Sequence, residues 1–170
     1  MNYADLRKYD ISNWNGINTT LFVTGCYFHC KGCWNEEAQD FNYGKPYTKE
    51  VEDTLISYAQ DSHVTGICLL GGEPLHQDLD IILNLVKRIK KEVGKPIYMW
   101  TGFTWEQLMK DNKRKEIITY VTVLIDGQFE LDKRDLTLAH KGSTNQREID
   151  VQKSLEEDKV VLWEDVWLKN

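Results

Sequence analysis

The residues best suited to chemistry are three cysteines, Cys26, Cys30 and Cys33, in the stretch VTGCYFHCKGCWN (residues 23–35). Their spacing is Cys-x3-Cys-x2-Cys, and the fourth cysteine of the chain, Cys68, lies well downstream. Thiolates this close together can surround one compact metal centre only if the segment is a loop that closes on itself. Soft sulfur ligands restrict that centre to zinc, copper or iron–sulfur.

Neighbouring residues help to choose between these metals. Gly25 and Gly32 supply the backbone freedom that such a loop needs. A structural zinc site takes four protein ligands, and His29 could complete one only from inside the same small loop. Cys68 lies in the apolar run GICLL, where a cysteine is ordinarily a small buried residue. A cubic [4Fe-4S] cluster normally takes four cysteines, so a triplet leaves one iron open for a substrate or cofactor. The spacing favours iron–sulfur and leaves zinc as an alternative.

The composition is that of a globular protein. The chain has 170 residues, 41% of them hydrophobic, and a net charge of -6. We expect one domain, residues 1–170, with a reducing cytoplasmic location in which clustered thiols serve as ligands. A large basic block and a run of about 18 apolar residues are both absent from the sequence, so we expect neither nucleic acid nor a membrane as the partner. A protein or small-molecule partner is expected.

Apolar, β-branched runs that stop at glycine predict four buried strands. These runs are residues 19–25, 65–72, 96–102 and 120–127. Between them, apolar residues three and four positions apart predict three helices. These helices are residues 49–60, 79–93 and 104–118.

Alternating strands and helices with short connections predict an α/β fold with a parallel sheet, and a core of about residues 19–127. The tail, residues 128–170, differs from this pattern. A short helix is predicted near 151–157, and the apolar segment 159–168 is interpreted as a further strand or a lid. The tail is also a candidate partner contact.

Unusual residues follow each predicted strand: Cys26 follows the first, GGEP (71–74) the second, Thr101-Gly102 the third and Asp126-Gly127 the fourth. The carboxyl ends of parallel strands share one edge of a sheet, where α/β folds build ligand sites. The sequence therefore predicts one active site at this edge.

The cysteine triplet together with GGEP (71–74) resembles the signature of radical S-adenosylmethionine enzymes. The resemblance implies a small incomplete (β/α) barrel. It also implies a [4Fe-4S] cluster whose open iron binds the amino and carboxylate groups of S-adenosylmethionine. An electron from the cluster would then cleave the sulfonium to a 5'-deoxyadenosyl radical.

The resemblance assigns residues as well. Many members have an aromatic residue before the third cysteine, where this chain has Gly32, so Trp34 is the candidate for the adenine contact. Asp126 could accept hydrogen bonds from the cofactor or help to hold a cation. The expected metal ligands are Cys26, Cys30 and Cys33, and the expected cofactor contacts are Gly32, Cys33, Trp34, Gly71, Gly72, Glu73 and Asp126.

Further motifs resemble a narrower group, the activases that serve the anaerobic ribonucleoside-triphosphate reductase. These motifs are WTGFTWEQL (100–108), DGQFE (126–130) and KGSTNQR (141–147). The group implies hydrogen abstraction from a glycine of the large reductase subunit, and a flavodoxin-like or other low-potential electron donor. Asn145, Gln146 and Arg147 are candidate contacts to cofactor or partner. The alternatives are an activase of another glycyl-radical enzyme and a zinc-stabilised protein-binding module.

Overall fold

Seven β-strands form one sheet in the part of the chain that the computed structural model describes, residues 1–164. The strands are β1 (Asn2–Asp10), β2 (Asn18–Val23), β3 (Lys45–Pro46), β4 (Gly66–Gly71), β5 (Ile97–Trp100), β6 (Val123–Asp126) and β7 (Arg147–Asp150). Their order across the sheet is β3-β1-β2-β4-β5-β6-β7. The four predicted strands are confirmed as β2, β4, β5 and β6, and they lie side by side at the centre.

The sheet is mixed, so the prediction of a parallel sheet is correct only for its centre. Strands β2, β4, β5 and β6 pair in parallel. Strand β1 pairs antiparallel with β2 and with β3, and β7 pairs antiparallel with β6. These added strands widen the sheet on both sides, and β1 and β7 come from outside the predicted core of residues 19–127. Their sequences carry many charges and lack a continuous apolar run, because they are not enclosed on both faces as the central strands are.

Five α-helices accompany the sheet in residues 1–164. They are α1 (Lys49–Gln60), α2 (Leu79–Glu92), α3 (Trp105–Leu108), α4 (Asn112–Ile118) and α5 (Val151–Glu157). The predictions for α1, α2 and α5 are confirmed. The prediction of one helix over 104–118 is wrong, because the Asp111 carboxylate accepts the backbone N–H groups of Lys113 and Arg114 and so begins a new helix.

The two faces of the sheet are covered differently. On one face, alternate strand residues such as Leu69 and Met99 join the helices in the larger core. On the other face, Cys68, Val123 and Ile125 form a smaller cluster with Trp14. Loops rather than helices therefore cover this second face, which we call the inner face.

The end of the described chain runs beside β7. Asp150 N–H donates to Val161 O (2.9 Å), and Trp163 N–H donates to Glu148 O (2.8 Å). An antiparallel bridge joins Ile149 to Leu162. This part of the predicted segment 159–168 therefore pairs with β7 through an isolated bridge and forms no further strand, while residues 165–168 lie outside the described part. No helix within residues 1–164 has the length and apolar character needed to cross a membrane.

Candidate functional site

A cavity of about 480 Å³ opens at the carboxyl edge of the parallel strands. The segments predicted to meet there do so: the cysteine triplet, Gly71 to Glu73, Thr101-Gly102 and Gly127 all contribute to its wall. Residues 135–136 and 138–142 of the predicted tail complete the wall. The volume falls in the usual range for a site that binds a small molecule.

The loop that carries the triplet, residues 24–35, is called the cysteine loop. Gly25 has φ +100° and Gly32 has φ +73°, so both adopt the left-handed conformation for which the sequence suggested them. His29 also has a positive φ of 49°. Backbone hydrogen bonds from Gly25 N–H to Ala38 O (2.8 Å) and from Cys26 N–H to Gln39 O (3.0 Å) fasten the start of the loop. The chain thereby reverses direction and presents three thiols to one cavity.

The segment that begins at the last residue of β4, residues 71–77, is called the glycine turn, and it packs directly on the cysteine loop. Gly72 N–H donates to Val23 O (2.7 Å) and Glu73 N–H donates to Gly25 O (2.9 Å). A Cβ at Gly71 would lie 2.3 Å from Val23 O, and one at Gly72 would lie 2.6 Å from Ala38 O. Close packing of one backbone on another therefore requires both glycines, in addition to any approach of a ligand.

Glu73 is enclosed by protein, with 2% of its surface exposed. Its carboxylate accepts hydrogen bonds from Leu75 N–H (3.0 Å), Thr101 Oγ1 (2.9 Å) and Gly102 N–H (2.7 Å). Burial raises the pKa of this carboxyl to about 7, although the three donors oppose the shift. Glu73 therefore joins the end of β4 to the end of β5, and its predicted role as a cofactor contact stays a prediction.

We expect Glu73→Gln to lower the free energy of unfolding of the metal-free protein by about 1–3 kcal/mol. The glutamine amide has only one acceptor oxygen, so it cannot accept all three hydrogen bonds. Its NH2 group would also face one of the protein's donors. Urea unfolding followed by circular dichroism measures the change. Glu156→Gln on the exposed surface of α5 is the control, and an equal, small effect of both changes would contradict the assigned role.

The donor set fits an iron–sulfur cluster better than a single zinc ion. No three His, Cys, Asp or Glu side chains in residues 1–164 are arranged to hold one metal ion. Each thiolate of a cubic cluster binds a different iron, so its sulfurs stand farther apart than the ligands of one ion. His29 Nδ1 lies 2.9 Å from Gln39 Oε1, within hydrogen-bonding distance. Cys68 is fully buried on β4, as expected, and leaves the triplet without a fourth cysteine.

The pKa values of two of the thiols reflect partial burial of the site. Desolvation raises the pKa of Cys26 to about 11, and desolvation is also the main cause of the raised pKa of Cys30. Cys30 Sγ lies 3.8 Å from Gln128 Oε1, which can accept its hydrogen bond. Because a ligand thiolate must lose its proton, a metal centre in this loop has to supply the positive charge that favours ionisation.

Two aromatic residues of the cysteine loop line the cavity. Trp34, the predicted adenine contact, is 59% exposed, and the Arg134 guanidinium lies 4.3 Å from its ring centroid. Phe28 is half-buried and packs edge-on against Phe103, with 5.0 Å between the ring centroids. The contact of Trp34 with adenine stays a prediction, and Phe28 is a second aromatic surface that the sequence reasoning did not select.

Asp126 is buried at the end of β6, and its carboxylate is hydrogen-bonded to other residues of the protein. Its carboxylate accepts Trp105 N–H at the start of α3 (2.7 Å) and the Arg147 Nε–H group (3.0 Å). Arg147 also pairs with Glu106, and this pair lowers the pKa of Glu106 to about 2. The residues that follow Asp126, which are Gly127, Gln128 and Phe129, line the cavity, whereas Asp126 does not. A cofactor contact by Asp126 therefore stays a prediction.

The polar residues at the start of β7 shape the wall of the cavity. Gln146 Oε1 accepts Gly142 N–H (2.8 Å), and its Nε2 donates to Gly127 O (2.9 Å). Asn145 Nδ2 donates to Gln128 O (2.8 Å). These side chains hold the tail against the end of β6, which explains why a polar segment borders the site.

The sequence reasoning missed His76 and Gln77, which lie four and five positions after Gly72. Gln77 Nε2 donates to Gly25 O (3.0 Å), and His76 Nδ1 accepts Tyr27 N–H (3.1 Å). Burial is the main cause that lowers the pKa of His76 to about 4. The only sequence signal for these two residues was their closeness to the GGEP motif, because neither belongs to a helical or strand pattern of apolar residues.

Comparison with known proteins agrees with this donor set. Residues 12–149 match the family described as a 4Fe-4S single cluster domain. The anaerobic ribonucleoside-triphosphate reductase-activating protein of Pasteurella multocida is 40% identical over 150 residues, which cover 86% of this chain and 95% of that protein. The Escherichia coli K12 protein of the same name is 41% identical, with 86% and 96% covered. The counterpart from enterobacteria phage T4 is 37% identical over 149 residues, with 86% and 92% covered.

Proposed function

The chain belongs to the family of anaerobic ribonucleoside-triphosphate reductase-activating proteins, and from this premise we propose that it generates the glycyl radical of that reductase with S-adenosylmethionine as the radical source. The observation that carries the proposal is the meeting of three cysteines and a double glycine in one cavity, with the fourth cysteine of the chain buried elsewhere. Three protein thiolates leave one iron of a cubic cluster free to bind the cofactor.

Each part of the cavity has a task in this proposal. Cys26, Cys30 and Cys33 would hold the cluster, and the backbone at Gly71 and Gly72 would bind the amino group of S-adenosylmethionine. When bound, the cluster supplies the electron that cleaves the sulfonium to a 5'-deoxyadenosyl radical, which removes a hydrogen atom from the target glycine. The protein's own contribution is to keep these groups in contact and to exclude competing reactions from the cavity.

The remaining assigned residues have supporting tasks. Glu73 and Asp126 would fix the positions of the segments after β4, β5 and β6 relative to one another. The Glu73 carboxylate accepts Gly102 N–H, and the Asp126 carboxylate accepts Trp105 N–H, so each is bonded to the segment after β5. Gly32 would let the cysteine loop turn toward the cluster. Trp34 would cover the adenine.

The family also implies an incomplete (β/α) barrel that is open on one side. Supporting this, helices pack on one face of the sheet, whereas loops and Trp14 cover the inner face. A half-open barrel suits a substrate that is part of another folded protein, because a loop carrying the glycine must enter it. A low-potential, flavodoxin-like donor and a cytoplasmic location complete the proposal.

Anaerobic reconstitution with iron and sulfide tests the function. We expect a brown protein that, when reduced with dithionite, converts S-adenosylmethionine to 5'-deoxyadenosine, measured by liquid chromatography. With the large reductase subunit added, electron paramagnetic resonance should detect a glycyl radical doublet. The control is the same mixture without S-adenosylmethionine.

The outcomes separate the alternatives. A colourless protein that holds stoichiometric zinc and leaves S-adenosylmethionine intact would indicate the protein-binding module. Cofactor cleavage without a doublet on the reductase, but with a doublet on another glycyl-radical enzyme, would change the target and retain the chemistry.

A further inference from the structure

His76 makes a hydrogen bond between the two motifs of the site. Its Nδ1 accepts Tyr27 N–H at 3.1 Å, and Tyr27 directly follows the first cysteine. Because the donor is a backbone N–H, Nδ1 must carry a lone pair, and the ring proton must reside on Nε2. A side chain of the glycine turn thereby holds the backbone inside the cysteine triplet.

This bond differs from the other bonds that the glycine turn makes with the end of β2 and with the cysteine loop. Gly72 N–H reaches Val23 O, and both Glu73 N–H and Gln77 Nε2 reach Gly25 O. All three of those bonds end before the first cysteine. Among the hydrogen bonds described, the one from Tyr27 to His76 is the one by which the glycine turn holds the segment between Cys26 and Cys30.

The His76 ring is itself held in place. Its centroid lies 4.6 Å from that of Phe28, 5.0 Å from that of Tyr27 and 5.1 Å from that of Phe103. The Arg114 Nε–H group donates to the neighbouring Leu75 O (3.1 Å), and its guanidinium lies over the Phe103 ring at 4.7 Å. The acceptor atom is therefore pre-positioned by packing on three rings.

We propose that His76 is a positioning residue for the cluster, which through its Nδ1 acceptor sets the backbone at Tyr27 and so the place of Cys26 relative to Gly71 and Gly72. The inference rests on the proposed function, since it concerns the cluster held by the three cysteines. A loop displaced by about 1 Å suffices to weaken a reaction that depends on contact between two groups.

Two substitutions separate the hydrogen bond from the ring packing. His76→Phe keeps an aromatic ring among Tyr27, Phe28 and Phe103 but removes the acceptor. His76→Asn removes the ring but places an amide oxygen near the position of Nδ1. His63→Ala is the control, because His63 is an exposed histidine that contacts Asp61.

The reconstituted full-length protein is used for two measurements that do not depend on turnover. Hydrogen exchange of the Tyr27 amide is followed by mass spectrometry with electron-transfer fragmentation, and loss of iron to a chelator is followed by absorbance. In His76→Phe we expect both rates to rise about tenfold, because the hydrogen bond that holds the Tyr27 amide is lost. In His76→Asn and His63→Ala both rates should stay near those of the unchanged protein.

The result can overturn the inference in two ways. A His76→Phe protein with unchanged rates would assign His76 to packing alone. Faster exchange at Tyr27 with unchanged iron retention would show that the hydrogen bond forms but does not help to hold the cluster. If the unchanged protein binds no iron at all, the proposed function fails instead, so the two failures are distinguishable.

Discussion

Replacing Cys26, Cys30 or Cys33 with alanine is expected to remove the iron–sulfur cluster and, with it, the proposed cleavage of S-adenosylmethionine. Each change leaves two thiolates in the cavity, and Cys68 is buried on β4, outside the cavity wall. Loss of a supporting residue around a metal typically weakens binding by about 10–100-fold, so loss of a ligand should lower cluster retention by more than about 100-fold. Iron and sulfide analysis after anaerobic reconstitution, followed by the 5'-deoxyadenosine assay, measures both losses.

Cys68→Ala is the matched control for these variants. Cys68 lies in the inner-face cluster with Trp14, where its side chain contributes to packing. We expect a loss of stability of about 1 kcal/mol with full cluster content and cofactor cleavage. Equal loss of iron in Cys68→Ala and Cys30→Ala, with both proteins folded, would contradict the assignment of the ligands.

The second large effect is expected for Gly72→Ala. A Cβ at this position would lie 2.6 Å from Ala38 O, 2.7 Å from Gly25 O and 2.9 Å from Gly25 N. These are backbone atoms, so no side chain can rotate away, and the cysteine loop or the glycine turn must move. We expect a loss of about 1–3 kcal/mol in the free energy of unfolding. Since Gly25 adjoins Cys26, we also expect a loss of cluster retention, which iron analysis measures.

Gly94→Ala separates this collision from a general cost of replacing glycine. Gly94 has φ +71°, and a Cβ there meets no atom within 4 Å. Its replacement costs about 1–2 kcal/mol for the left-handed backbone, without moving the site. The two variants should therefore lose similar stability, whereas Gly72→Ala alone should lose iron. A Gly72→Ala protein with full iron content would show that the turn tolerates the Cβ.

The central fold could be predicted because its signals are local and periodic. The strands β2, β4, β5 and β6 lie at the centre of the sheet and are largely buried, so each is a short apolar run with a glycine at or shortly after its end. The outer strands β1 and β7 carry no such signal, because partly exposed strands tolerate charges. The break between α3 and α4 depends on a single capping carboxylate, that of Asp111, which a helical period does not reveal.

The chemistry of the site was determined by the sequence itself. Thiol softness and the spacing of Cys26, Cys30 and Cys33 depend on residue type and on a separation of a few positions, which the chain carries without folding. Parallel topology then places the ends of successive strands at one edge, so the meeting of the motifs also followed from their order.

The supporting contacts were decided only by the tertiary structure. Glu73 reaches Gly102, 29 positions away, and His76 reaches Tyr27, 49 positions away. Such contacts depend on the distance between loops and on the direction in which each side chain leaves the backbone, neither of which is encoded in a local pattern. For this reason the sequence predicts the ligands, whereas only the folded chain shows which distant residues contact the loops that carry them.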